Sequence, residues 1–243
     1  MFSLNPSLQS YSWGSKTLIA DLRGEESPTQ HPQAELWYGA HPAAPADIAG
    51  VPLTDIIAAD PDRELGAAVR ARFGDRLPFL LKILAVAEPL SLQAHPSLAQ
   101  AQEGFRRENA QGIDVRAGNR NYRDDNHKPE LIVALTPFHA MAGFRPLAAT
   151  LELFAALDCP SLARYVGMID STGEEAVNLR MLFTTWITIP AAVRKQLIDD
   201  IIVAAKRVVA EGSAAEWQRE TLANIIELDT HYPGDVGVLG ALL

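Results

Sequence analysis

The chain has 243 residues, a formal net charge of −9 and 48% apolar residues. The acidic balance, spread without long runs of one sign, argues against nucleic acid or an anionic membrane surface as a partner, because both are bound through clustered Lys and Arg. The apolar content supports a sizeable core, and the length accommodates one large or two small domains.

The start, Met1-Phe2-Ser3-Leu4-Asn5-Pro6, has no basic stretch followed by an apolar core, so no signal peptide is expected. Residues 1–60, rich in Pro, Gly and short apolar bursts, read as strands and loops. Pro61 to Phe73 reads as a short helix with Asp60 at its N-cap and Pro61 in its first position. Pro78 to Gln93 gives two strands broken near Glu88-Pro89. Ser97 to Asn109 is a polar-faced helix capped by Ser97. Residues 111–128 form a long Gly/Asn/Asp/Arg-rich loop, a kind of segment that is either functional or disordered. Glu130 to Thr136 and Phe138 to Phe144 read as a strand pair meeting at Thr136-Pro137.

After Arg145 the apolar period changes to 3.6 residues. Residues 146–157, 174–186, 191–210 and 214–227 are expected to be helices, with Gly212 as a stop and Ser213 as the next N-cap. Cys159 is the single cysteine; it excludes an internal disulfide, fits a reducing compartment and reads as a structural thiol. Tyr232-Pro233-Gly234-Asp235 is a turn, and Val236 to Leu243 returns to strand-like sequence. No apolar run approaches the roughly 20 residues that span a bilayer. A cytoplasmic monomer with no membrane association is expected, mainly β before about residue 145 and mainly α from about 146 to 228.

Two short segments carry the chemistry: Ser91-Leu92-Gln93-Ala94-His95-Pro96 and Asn126-His127-Lys128-Pro129-Glu130. On a strand, Gln93 and His95 share one face, and Ser91 alternates onto it. An amide oxygen and an imidazole side by side are half of a metal site, and Glu130 can bring a carboxylate from a neighbouring strand. A Gln/His/Glu set suits zinc or another first-row divalent metal, with positions left open for a substrate. Lys128 would share the face of Glu130, close to the metal, where a lysine suits proton transfer; a surface pairing with Asp124 or Asp125 is the plainer alternative. Lys82 stands in the apolar run Leu77-Pro-Phe-Leu-Leu-Lys-Ile-Leu-Ala-Val-Ala87, where a charge must be paired or face a cavity.

These strings, together with Tyr11-Ser12-Trp13-Gly14-Ser15, Ala34-Glu35-Leu36-Trp37-Tyr38-Gly39-Ala40-His41-Pro42 and Tyr122-Arg-Asp-Asp-Asn-His-Lys-Pro-Glu130, resemble the type I mannose-6-phosphate isomerases, zinc enzymes of the cupin class. The resemblance implies a mixed β and α fold: an incomplete cupin-like β-sandwich or jelly roll with an all-α helical domain. It divides the chain into a cupin-like part at 1–145, a helical domain at 146–228 and a return strand at 229–243. It implies Zn2+ on Gln93, His95 and Glu130. The implied reaction interconverts mannose 6-phosphate and fructose 6-phosphate, sugar phosphates that feed GDP-mannose biosynthesis. Lys128 moves the proton between C1 and C2, and His127 either assists ring opening or has a plain loop role. Ser91, Trp13, Glu35 and Lys82 bind substrate, the indole stacking on a sugar face. Trp13 as a core aromatic and Glu35 as a loop cap are the alternatives. His41, His31, His139 and His231 are not expected to ligate.

In that family a fourth ligand, a His in a segment like Ala-Gly-x-x-His-Ala-Tyr, and a catalytic Arg follow the part that this chain resembles. The chain is therefore expected to be the first part of such an enzyme, with little isomerase activity by itself. The alternative function is a non-catalytic cupin-like protein that binds a metal or a sugar phosphate.

Overall fold

The computed structural model describes residues 2–243, and the chain divides into two compact units, Met1–Leu90 and Ser91–Leu243. In the first unit the order is β1 (Ser7–Gln9), α1 (Leu18–Arg23), β2 (Glu35–Tyr38), β3 (Asp47–Ile48), β4 (Val51–Pro52), α2 (Leu53–Ala59), α3 (Pro61–Phe73) and β5 (Leu81–Leu84). An antiparallel sheet runs β1-β2-β5, and β3 and β4 form a separate two-stranded ribbon. Alternation along β2 sends Leu36 into a small core with Ile19 and Ala85. Trp37 then sits opposite Lys82, and Glu35 opposite Leu84, across the ladder. The Asp60 carboxylate accepts from the Arg63 amide and Pro61 opens α3, as the N-cap reading requires. Gly66, with φ +76°, kinks α3 in a conformation that L side chains rarely adopt.

The second unit begins with an irregular stretch leading into α4 (Leu98–Ala110), which is closed at its start by a full capping box. The Ser97 hydroxyl accepts from the Gln100 amide, and the Gln100 side chain accepts from the Ser97 amide. Helices α5 (Leu147–Leu157), α6 (Ala163–Val166), α7 (Glu175–Thr188), α8 (Ala191–Glu211), α9 (Glu216–His231) and α10 (Val236–Gly240) follow, with a 3-10 turn at Pro160–Leu162. Leu153, Leu157, Leu182, Trp186, Ile198, Ile201, Leu222 and Ile225 form its core. Each such side chain gains roughly 1.5–3 kcal/mol from leaving water. Cys159 lies against this core, and burial pushes its thiol pKa up, so it is an inert packing group. Among the described residues no single helix is long and apolar enough to cross a membrane.

Several expectations are corrected. Residues before 145 are not mainly β: the strands are short, and α1 and α2 lie in the stretch read as strands and loops. The two strands expected between Pro78 and Gln93 reduce to β5 and a single bridge from Val86 to Gly14. Residues 129–144 form no ladder: among the described residues no backbone hydrogen bond ties them to another segment, and Leu131 is 91% exposed. β-branched and apolar composition gives strand propensity, but a strand exists only where a partner edge accepts it. Val236–Gly240 is helical, not a strand; the Asp235 side chain accepts from the Gly237 amide, and Val238, Leu239 and Leu242 are buried. A short, wholly apolar run has no readable period, so its type is set by its cap and its neighbours. Ser213 is not the cap of α9; the Gln218 side chain accepts from the Ala215 amide instead.

The 111–122 loop, without helix or strand, is nevertheless fastened. Glu108 on α4 and Arg120 form a buried ion pair, Nε to Oε2 3.0 Å, with side chains 5% and 0% exposed. The Glu108 carboxylate accepts from the amides of Tyr122 (2.8 Å) and Asn121 (3.2 Å) and from the Asn121 side chain. Arg120 donates to the carbonyls of Tyr122 and Ile113 and to the Asn109 side chain. The Tyr122 amide, then those of Asn121 and the Arg120 charge, hold the Glu108 carboxyl below the usual carboxylate range against its desolvation. Its stabilising effect is therefore complete above the unfolded value, about 4.3, and is lost as pH falls through the lowered folded value. Denaturant melts should show wild type more stable than Glu108→Gln near neutral pH. The gap should begin to narrow as pH falls below about 4.3 and close below the lowered folded value.

Candidate metal centre

The segment 91–96 is irregular rather than a strand, which corrects the premise but not the adjacency drawn from it. The His95 Nε2 lies 3.4 Å from Gln93 Oε1 and 3.8 Å from Glu130 Oε2. Four ligands at 2.0–2.2 Å around tetrahedral zinc stand about 3.3–3.6 Å apart. The His95–Gln93 contact lies within that range and the His95–Glu130 contact about 0.2 Å beyond it. The donors are an amide oxygen, an imidazole and a carboxylate, a mixture suited to zinc and its neighbours. Among the described residues no three His, Cys, Asp or Glu side chains gather to hold a metal. Here Gln93 makes the third donor, so the site rests on a residue type outside that set. The residues present therefore fit a divalent metal.

Glu130 is engaged from both sides. Its Oε2 faces His95, while its Oε1 is 3.1 Å from Lys128 Nζ. Lys128 thus pairs with Glu130 rather than with Asp124 or Asp125; Asp124 instead accepts from the Asn126 amide. The centre is open to water: side-chain exposure is 31% at His95 and 53% at both Glu130 and Lys128. Ser91 and His127 are exposed in irregular stretches. His31, His139 and His231 are exposed as well.

The first unit holds a separate polar group. Glu35, 7% exposed, accepts from the Trp37 indole Nε1–H, and Lys82 Nζ lies 3.4 Å from Glu35 Oε2. The same ammonium stands 4.7 Å from the centroid of the Trp37 ring, which adds a cation–π contact. The charge in the apolar run is thus paired. Trp13 stacks on Tyr11 with centroids 5.6 Å apart. Burial, then the Glu35 charge, raises the Tyr11 pKa. Trp37 was not among the candidate residues; its signal is the two-residue spacing from Glu35 on one strand face. Glu108 and Arg120 had no such signal.

Residues 1–147 match the model of the phosphomannose isomerase type I catalytic domain. The chain belongs to the type I phosphomannose isomerase family. The mannose-6-phosphate isomerase of Escherichia coli K12 is 39% identical over the whole chain, which covers 60% of that protein. The apo crystal structure of the Salmonella typhimurium enzyme superposes at TM-score 0.83 and 37% identity, with 100% of this chain and 59% of that one covered. The Salmonella enzyme bound to fructose 6-phosphate and zinc superposes at TM-score 0.82 and 37% identity, over 100% and 60% of the two chains. The mixed α and β fold, with its small antiparallel sheets, is that of phosphomannose isomerase. The chain spans about 60% of the length of the curated relatives it matches.

Proposed function

We propose that this chain provides the metal-holding part of a zinc-dependent aldose–ketose isomerase that interconverts mannose 6-phosphate and fructose 6-phosphate. The observation that carries the reading is the convergence of Gln93 and Glu130 on the His95 imidazole, in a member of this family. Gln93, His95 and Glu130 would hold the metal. A bound zinc would supply polarisation of the substrate's carbonyl and hydroxyl oxygens. Lys128 would move the proton between C1 and C2. Its salt bridge to Glu130 supports a place for it beside the metal ligands. His127 would assist ring opening and Ser91 would hydrogen-bond the substrate. The substrate-binding roles of Trp13, Glu35 and Lys82 rest on their chemistry: an indole for a sugar face, a carboxylate for a hydroxyl, an ammonium for phosphate. A cytoplasmic setting and a monomeric state belong to the same proposal.

The exposure of Glu130 and Lys128 favours a second reading, a metal or sugar-phosphate binder without turnover, since charge stabilisation in catalysis depends on excluding water. A coupled assay decides between them. It uses the chain extended to the length of its relatives, with mannose 6-phosphate as substrate. We expect turnover that disappears on chelation, returns with zinc, and is lost in His95→Ala and Glu130→Ala. Zinc binding without turnover would support the second reading. Turnover indifferent to chelation and to both substitutions would overturn the first.

A further inference from the structure

We propose that the buried Glu108–Arg120 pair is a positioning device that sets the distance between the two arms of the metal centre, with α4 as the ruler between them. The proposal rests on the metal reading above and adds the part of the fold that enforces it.

One arm is fixed at the start of α4. His95 precedes Pro96 and the capping residue Ser97, so the capping box anchors Gln93 and His95 to the first turn of the helix. The other arm, Lys128 and Glu130, follows the long loop. That loop is fastened to the far half of α4 at Glu108, through the Tyr122 and Asn121 amides and through Arg120. Between Tyr122 and Glu130, the only backbone amide bond among the described residues is the local one from Asn126 to Asp124. Tyr122 is thus the last fastened point before Glu130.

A second, independent observation concerns Gly104. A Cβ built there would stand 2.4–2.5 Å from the ring atoms of Tyr122. The ring therefore lies directly on the helix backbone, and no larger residue leaves it there. The guanidinium of Arg107 covers the same ring, 5.9 Å from its centroid. The loop is thus held to α4 by charge on one side of Tyr122 and by contact on the other. A charge pair taken out of water is costly unless its geometry and hydrogen bonds are complete. Here they are, and the loop they fasten leads from Tyr122 to Glu130.

The test is zinc affinity, measured by calorimetric titration on the 243-residue chain well below each variant's melting temperature. Wild type, His95→Ala, Glu108→Gln and Gly104→Ala are compared. Glu108→Gln keeps the shape and removes the charge. Gly104→Ala keeps the ion pair and displaces Tyr122. Alanine is the better helix former, so any effect on α4 alone would run in the stabilising direction. We expect both variants to bind zinc about 10–100-fold more weakly, as for other groups that orient a ligand without touching the metal. The absorption spectrum of bound Co2+ should change with them. Wild-type affinity and spectrum in the folded variants, whatever their melting temperatures, would overturn the positioning role and leave the metal reading intact. Equal affinity in wild type and His95→Ala would instead overturn the metal reading, and this inference with it. If Glu108→Gln does not fold, Gly104→Ala decides alone.

Discussion

Replacing His95 by alanine is expected to weaken zinc binding by more than about 100-fold, beyond the 10–100-fold of an outer-shell change. The imidazole is the one nitrogen donor of the set and the point on which Gln93 and Glu130 converge. Its removal leaves a neutral amide and a single carboxylate, the second oxygen of which is already engaged by Lys128. Glu130→Ala should cost a comparable factor, because it removes the only negative charge facing the metal from this set. Gln93→Ala should cost less, since an amide oxygen brings no charge. A titration with equal affinity for wild type and His95→Ala would remove the imidazole from the coordination set.

Lys128→Met is expected to lower kcat of the extended enzyme by about 10²–10⁴, the usual contribution of a positioned acid or base. Zinc affinity should hold or rise in the same variant. The ammonium would compete with a bound metal for the Glu130 carboxylate, to which it is tied by a 3.1 Å salt bridge, so its loss would leave the carboxylate freer to ligate. A ligand or a purely structural residue would lower affinity and rate together. A fall in affinity that accounts for the whole loss of rate would therefore assign Lys128 to holding the metal and not to proton transfer.

The parts of this arrangement that could be read from sequence are those with a local physical signature. The Ser97–Gln100 spacing specifies a capping box wherever a helix follows, and α4 begins there. Asp60-Pro61 fixes the start of α3 in the same way. The 3.6-residue period after Arg145 gives α5, α7, α8 and α9 within a few residues. Gln93 and His95 meet without the strand that was invoked for them, because a two-residue spacing brings side chains together in more than one backbone shape. What had no local signature was missed. The Val236–Gly240 helix comes from an apolar run with no period of its own. The segment 129–144 has strand composition but no ladder, and strand formation is decided by a partner that composition does not name. Glu108 and Arg120 pair across an irregular loop, at a separation that no helix or strand repeat marks.

The central claim is that Gln93, His95 and Glu130 form one metal centre, and zinc K-edge X-ray absorption on the zinc-loaded chain tests it most directly. The account predicts a first shell of nitrogen and oxygen only, at about 2.0–2.2 Å, with the outer-shell scattering of a single imidazole that vanishes in His95→Ala. A sulfur ligand, two or more imidazoles, or an imidazole signal that survives His95→Ala would contradict it.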